Sequence, residues 1–375
     1  MATYFSLLLT ILFRRLRNIP PPASIYRPPA WDKNQPLVSV VVPCYNHGHY
    51  LAEAVDSVLK QTWQGLEIII VNDGSTDPAT NQILKTFQRP KTRILHLPNN
   101  RGLPAARNAG IKQACGKYIC CLDADDKLQE TYLEKAVLHM QVNTGISFVW
   151  PWTQVFGVED RVWYTPQFDI KHLIYYNQLN ASAVFRKSAW QQVGGFNEHM
   201  REGFEDWEFW IRLAGHSFRG YRITEKLFWC RRMGYSFANE AADKKEKLFA
   251  QIQSNNRDLY ADTGDVLTHI QRSYRDLYNP FFLDDLKTEN WQEVNAARLI
   301  VSSLDSQSTL RWLENAAGGQ AMIWVARQLL DEAALTAVFA ATPYVYVLPN
   351  FLPRYAHREF IDFLQNRQAI QVITI

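Results

Sequence analysis

Asp123, Asp125 and Asp126 follow directly on the apolar run 118–122. Like charges crowded at the end of a buried segment repel one another and lose solvation, so they need a cation or several donors to hold them. A hard divalent cation, Mg²⁺ or Mn²⁺, meets that need because it takes a carboxylate or two together with phosphate oxygens. The same residues also suit a solvated acidic turn capping a helix from Leu128. Upstream, Asp73 in Asn72-Asp73-Gly74-Ser75-Thr76-Asp77 can accept a hydrogen bond from a ring N–H of a pyrimidine or guanine, and is equally good turn and N-cap chemistry. Tyr45 offers a ring face to a nucleobase, and the backbone near Pro43 offers polar groups to its edge. Glu205 and Asp206 form an acidic pair suited either to general-base work or to a helix N-terminus, where the dipole favours acids.

These residues need elements that bring them together. From residue 37 short β-branched runs alternate with amphipathic stretches, the pattern of βα units around a mostly parallel sheet. Strands are expected over 37–42, 66–71, 92–97 and 117–122, with helices over 50–61, 78–88 and 103–114. Ligands of such sheets bind beyond the carboxyl ends of the strands. Pro43 to Asn46, Asp73 and Asp123 to Asp126 all fall there, so they should converge on one edge.

The segments VSVVVPCYNHGHYLAEAVDSVLKQT, IIIVNDGSTD, NNRGLPAARNAGI, GKYICCLDADD, VGGFNE and FEDWEFWIRLA, in this order over residues 37–236, resemble the family 2 glycosyltransferases. The resemblance implies the GT-A fold: Rossmann-like α/β, with a mostly parallel central sheet flanked by helices. It implies an inverting hexosyl transfer from a nucleotide-diphospho-sugar donor. On these positions Pro43, Tyr45, Asn46 and Asp73 are similar to the family's donor-base pocket, Asp125 with Asp123 to its metal and ribose site, and Arg101 and Arg107 to its donor-phosphate or base segment. Asp206 is similar to the family's catalytic base, with Glu205 orienting base or acceptor. Trp207 is the one aromatic of the stripe Trp207, Trp210, Ile211, Ala214 assigned to the acceptor; the rest read as core. Met233 stands where many relatives carry a histidine for the metal or diphosphate, and a thioether is a poor ligand for a hard cation. Arg231 or Arg232 is then left to neutralise the phosphates. Gln307, Arg311 and Trp312 are one residue too widely spaced for the motif of processive members, which favours transfer of single sugars.

Composition bounds the remainder. The chain has 375 residues, 47% hydrophobic and 21% charged, enough for a catalytic domain and a smaller part. A net charge of +3 gives no global field for nucleic acid. Five cysteines without CxxC spacing suit packing in a reducing compartment. Within residues 1–35 the apolar run 4–13, followed by Arg14, Arg15, Arg17 and a proline-rich stretch, is too short to span a bilayer. It suits a helix lying on the inner face of the membrane, or one packed on the protein's own surface. Residues 36–240 form the expected catalytic domain. In 241–375 a helix is expected over 244–260 and strands over 297–301, 321–325, 337–347 and 369–375, giving an α/β or helical extension of unassigned role. The expected activity is transfer of one sugar, with a preference for uridine donors, to a saccharide or lipid-linked acceptor in cell-surface glycan synthesis. A catalytically silent protein of the same fold is the alternative that Met233 supports; a nucleotidyltransferase would call for a Gly-rich, lysine-bearing phosphate loop, which this sequence does not show.

Overall fold

The computed structural model describes residues 38–234, 237–261, 298–315, 322–342, 344–350, 357–368 and 371–375. The run Val38–Cys44 is buried along its whole length, as a strand inside a parallel sheet must be, and forms β1. β2 (Leu66–Asn72), β3 (Thr92–His96) and β4 (Tyr118–Cys121) follow, joined by helices Leu51–Leu59, Pro78–Thr86 and Leu103–Gln113. β1 pairs in parallel with β2 on one side and β4 on the other, and β3 pairs in parallel with β2. β5 (Lys127–Leu128), β6 (Ile146–Gly157), β7 (Arg161–Trp163), β8 (Val184–Arg186) and β9 (Arg219–Arg232) extend the sheet in the order β3-β2-β1-β4-β8-β6-β9-β5, with β7 on β6. The added half is mixed: β8 runs antiparallel to β4 and β6, while β6 and β9 are parallel.

Side chains of a strand alternate between faces, and β1 shows what each face does. Val38, Val40 and Val42 pack with Leu51, Val55 and Val58 of the first helix. Val41, with Ile69, Val71 and Ile119, packs against Ala106 and Ile111 of the helix Leu103–Gln113. Gly110 lets that helix close on the sheet, since a Cβ there would lie 2.4 Å from a Val41 methyl and 2.9 Å from a Val71 methyl. Cys120 and Cys121 are sealed in this core, where burial pushes both thiols up, Cys121 to about 12.

The segment after Asp126 does not begin a helix at Leu128. It forms β5, antiparallel to β9, and the next helix is Tyr132–Val142. The carboxylates therefore cap nothing and stay at the strand end.

Helices Phe237–Asp243, Lys245–Asn255 and Arg257–Ala261 lie across the expected boundary at residue 240 and pack on the first sheet's layer through Ile252, Phe249 and Leu259. A second sheet has β10 (Arg298–Ser302), β11 (Met322–Ala326), β12 (Val345–Val347) and β13 (Gln371–Thr374), all parallel, in the order β12-β11-β10-β13. The strand expected over 337–347 is only β12. Its first half belongs to the alanine-rich helix Glu332–Ala341, whose N-cap Asp331 accepts from the Ala334 N–H. Leu299, Val301, Ile323, Val325 and Tyr346 of the second sheet share one apolar cluster with β1 and the helix Tyr132–Val142. Trp312 packs on Trp324 in this part. The membrane-associated reading of residues 1–35 lies outside the described residues, among which no helix is long and apolar enough to cross a membrane.

Candidate active site

The ends of β1, β2 and β4 open into one cavity of about 630 Å³, lined by Pro43, Tyr45, Asp73, Asp123, Asp125 and Asp126 among others. Parallel register explains the convergence: Cys44 is opposite Asn72 and Val41 is opposite Cys121, so the chain leaves all three strands at one level. Tyr45 stands 42% exposed at the mouth. Pro43 and Cys44 are buried in the wall, and the Asp73 N–H donates to the Cys44 carbonyl at 2.9 Å.

Asp73 does not cap its own loop. Its two oxygens accept from the backbone N–H groups of Arg101 and Gly102 at 2.8 and 2.9 Å, which pins the loop entering the helix Leu103–Gln113. The cap on the helix Pro78–Thr86 is Asp77. Asn46 is the clamp between the first two strand ends. Its side-chain oxygen accepts from Thr76 N and Asp77 N, both at 2.9 Å, and its backbone takes φ 60°, which asparagine tolerates better than most residues. That use turns it away from the cavity, whose lining it does not join. Arg101 contributes its backbone to Asp73, while its guanidinium pairs with Glu198 at 3.1 Å, outside the lining.

Arg107 is not the solvated helix arginine its sequence position allows. Only 1% of its side chain is exposed, and its guanidinium bridges Asp123 at 2.9 Å and Glu205 at 2.6 Å. It is the tie between the acidic strand end and the acidic pair. Two anions hold its proton firmly. Burial still pushes Glu205 up to about 7 in spite of Arg107, with Asp206 adding to the rise. Asp206 is also raised by its packed surroundings, and Arg107, the Trp207 N–H and the Asn177 side chain oppose that rise.

At the strand end, burial raises Asp125 and the Asp123 charge beside it adds to the effect. Asp126 is raised well above the ordinary carboxylate range by deeper burial and by both neighbours, although the Arg231 N–H donates to it at 2.8 Å. Asp125 lines the cavity, and its own amide donates to its carboxylate. The cluster presents hard oxygen ligands of the kind a divalent cation takes together with phosphate oxygens. Among the described residues no group of three or more His, Cys, Asp and Glu encloses a metal ion, so a cation here would complete its shell from the ligand and water.

Arg231 lines the cavity, but its guanidinium is engaged behind it: Nε donates to the Asp125 carbonyl at 3.0 Å and another nitrogen pairs with Glu53. Arg232 and Arg201 also line the cavity. Met233 stands 40% exposed in the same wall. Trp207 is moved out of the acceptor role by its packing: it is 4% exposed, stacks on Phe249 and donates its indole N–H to the Leu173 carbonyl at 2.7 Å. Asn100, Arg201, Phe237 and Glu240 line the cavity without having been singled out in the sequence, because nothing in their types or spacing marks them before the chain is folded.

The chain is similar to known glycosyltransferases. It is 47% identical over 108 residues to the glycosyltransferase GlyG of Streptococcus pneumoniae, an alignment covering 28% of this chain and 35% of the relative. It is 28% identical over 267 residues to the chondroitin synthase of Pasteurella multocida, covering 69% of this chain and 26% of the relative. The chain thus spans about a third or less of the length of these two relatives. Among solved structures it is similar to S. aureus TarS 1-349 in complex with UDP-GlcNAc, with a TM-score of 0.46, 21% identity and coverage of 54% of this chain and 60% of that one. The model of glycosyl transferase family 2 matches residues 39–198, which hold β1 to β4, the aspartates at the end of β4 and Arg107. Over those residues the chain is similar to glycosyl transferase family 2.

Proposed function

We propose that the chain is an inverting glycosyltransferase that moves one hexosyl residue from a nucleoside-diphospho-sugar, UDP-linked by preference, to a hydroxyl of a saccharide or lipid-linked acceptor. The observation that carries the reading is Arg107, which ties the acidic end of β4 to the acidic pair through two short ion pairs. In this reading Tyr45 faces the base, and Asp73, aimed by its two backbone donors, keeps lone pairs for a pyrimidine ring N–H. Asp125 and Asp123 would hold Mg²⁺ or Mn²⁺. The cation's contribution when bound is to neutralise charge on the departing phosphate.

Asp206 takes the proton of the acceptor hydroxyl as its oxygen bonds to the anomeric carbon from the face opposite the diphosphate. The bond from that carbon to the phosphate oxygen breaks, and the nucleoside diphosphate carries away the electron pair. Glu205, held by Arg107, fixes the helix turn bearing the base, and Arg232 and Arg201 meet the phosphates. Relatives named for chondroitin and hyaluronan synthesis support a place in glycan synthesis.

Asp206→Asn is the direct test. Release of nucleoside diphosphate should fall at least about 10²-fold, the scale of a lost general base. Binding of UDP with Mn²⁺, read as a thermal shift, should be retained. Undiminished release by the variant removes Asp206 as base. A parent protein that binds UDP tightly and turns over no donor favours the silent-protein reading that Met233 supports.

A further inference from the structure

A base at Asp206 needs an acceptor hydroxyl beside it, and in the neighbouring segment Tyr175, Tyr176 and Asn177 reach the surface while Ile174 and Gln178 are buried. The Asn177 side chain hydrogen-bonds to the Asp206 carboxylate. Its carbonyl oxygen accepts from the Leu179 N–H at 3.2 Å, which fixes the amide so that the NH₂ group donates to Asp206. The segment is tethered from beneath: Trp207 donates to the Leu173 carbonyl at 2.7 Å and the Tyr260 hydroxyl donates to the Ile174 carbonyl at 2.6 Å. On this footing stand two solvent-facing rings, Tyr175 at 43% and Tyr176 at 60% exposure. Tyr175 meets Tyr260 edge-on and Tyr176 stacks on His172, so both are braced while ring surface stays open.

We propose that residues 175–177 form the acceptor subsite, with Tyr175 and Tyr176 as a platform for the ring of a saccharide and Asn177 as a positioning residue for Asp206. The proposal rests on the glycosyl-transfer reading above. A saccharide is the occupant this chemistry favours. Its C–H face stacks on an aromatic ring while its hydroxyls keep hydrogen bonds, and tyrosine serves both needs. An acyl chain would need continuous apolar surface, which Lys171, His172 and Asn177 interrupt. Trp207, the aromatic closest to the base in sequence, is thereby part of the footing and not the platform.

The test is steady-state transfer by the full chain from UDP-glucose or UDP-N-acetylglucosamine to p-nitrophenyl glycosides of glucose, galactose and their N-acetylated amines. In Tyr175→Ala/Tyr176→Ala the KM for the best glycoside should rise about tenfold while kcat at saturation changes less than about twofold. The Tyr175→Phe/Tyr176→Phe pair, which keeps the rings, should restore the parent KM. In Asn177→Ala the acid limb of the kcat profile should move to higher pH, because a carboxylate that loses a donor is protonated more readily. Arg107 from the helix Leu103–Gln113, Asp123 from the end of β4 and Glu205 on the same helix also face Asp206 and are unchanged in that variant. An unchanged KM in the alanine pair, an unmoved acid limb in Asn177→Ala, or a parent enzyme that hydrolyses donor yet transfers to none of the glycosides overturns the proposal. A parent enzyme that consumes no donor even with water counts against the glycosyltransferase reading itself.

Discussion

Arg107, Asp123 and Glu205 place one buried cation between two carboxylates, and the balance is unequal. Glu205 loses more from burial than it regains from Arg107, so its carboxyl rises to about 7. The folded state therefore favours the protonated form over the unfolded chain, where the group titrates near 4.5, the ordinary value of a glutamate side chain. Its stabilising contribution is complete below that lower value and is lost as pH rises through about 7. Glu205→Gln removes the titration and keeps the shape. Unfolding by urea at a series of pH values should show the parent losing stability relative to the variant between the two pKa values, at up to about 1.4 kcal/mol per pH unit. A constant difference across that range would show that Arg107 holds Glu205 ionised throughout. The residues at strand ends were legible in the sequence because polar groups directly after apolar runs have few structural reasons to be there. The tie itself was not legible: Arg107 and Glu205 are 98 positions apart, and a helix arginine looks the same on paper whether it meets water or two anions.

At the scale of elements, the helix Leu103–Gln113 sets the site, because it carries Arg107 on the face that packs on β1 and β2. Gly110, one turn further on, gives the closeness. A methyl there would overlap Val41 and Val71, at 2.4 and 2.9 Å, and β-branched side chains inside a sheet have no other rotamer to retreat to. Gly110→Ala should lift the helix off the sheet and destabilise the protein by about 1–3 kcal/mol, seen as a lower urea midpoint at unchanged slope. UDP affinity should weaken with it, since the loop held by Asp73 enters the same helix. An unchanged midpoint would mean that the valines yield freely. The first four strands and their helices were readable from alternating apolar runs punctuated by Gly, Pro and Asp. The segment 337–347 was not, because Val338 and Phe339 resemble a strand, while the alanines around them and the Asp331 cap settle the helix. β5 was hidden for another reason: a two-residue strand has no pattern of its own and exists through β9, about a hundred residues later.

The two sheets are one body because their apolar faces share a cluster and a buried ion pair is closed between them. Lys135, on the helix Tyr132–Val142, has no exposed side-chain surface. Its ammonium donates to Glu225 of β9 and to the Val345 carbonyl of β12, each at 2.5 Å. Burial pushes the Lys135 ammonium down and the Glu225 carboxyl up, so each charge is tolerated only through its partner. The Tyr346 hydroxyl donates to Glu134 at 3.1 Å on the next position of the same helix, and the Thr224 and Asn350 side chains meet beside it. Such a junction cannot open without stranding charge in an apolar interior, so the second sheet should unfold with the first. Lys135→Met leaves Glu225 without its cation in the core and should cost about 3–5 kcal/mol. Native-state hydrogen exchange followed by mass spectrometry can resolve β1 and β10 as separate peptides. In the parent both should open with the global free energy, and in the variant both should lose protection by the same amount. Loss confined to β10 would make the second sheet an independent unit, and the cavity beyond β1 would then owe it nothing. Equal loss means that any substitution loosening the second sheet also reaches Asp125 and Arg107 through the shared core, without touching the site.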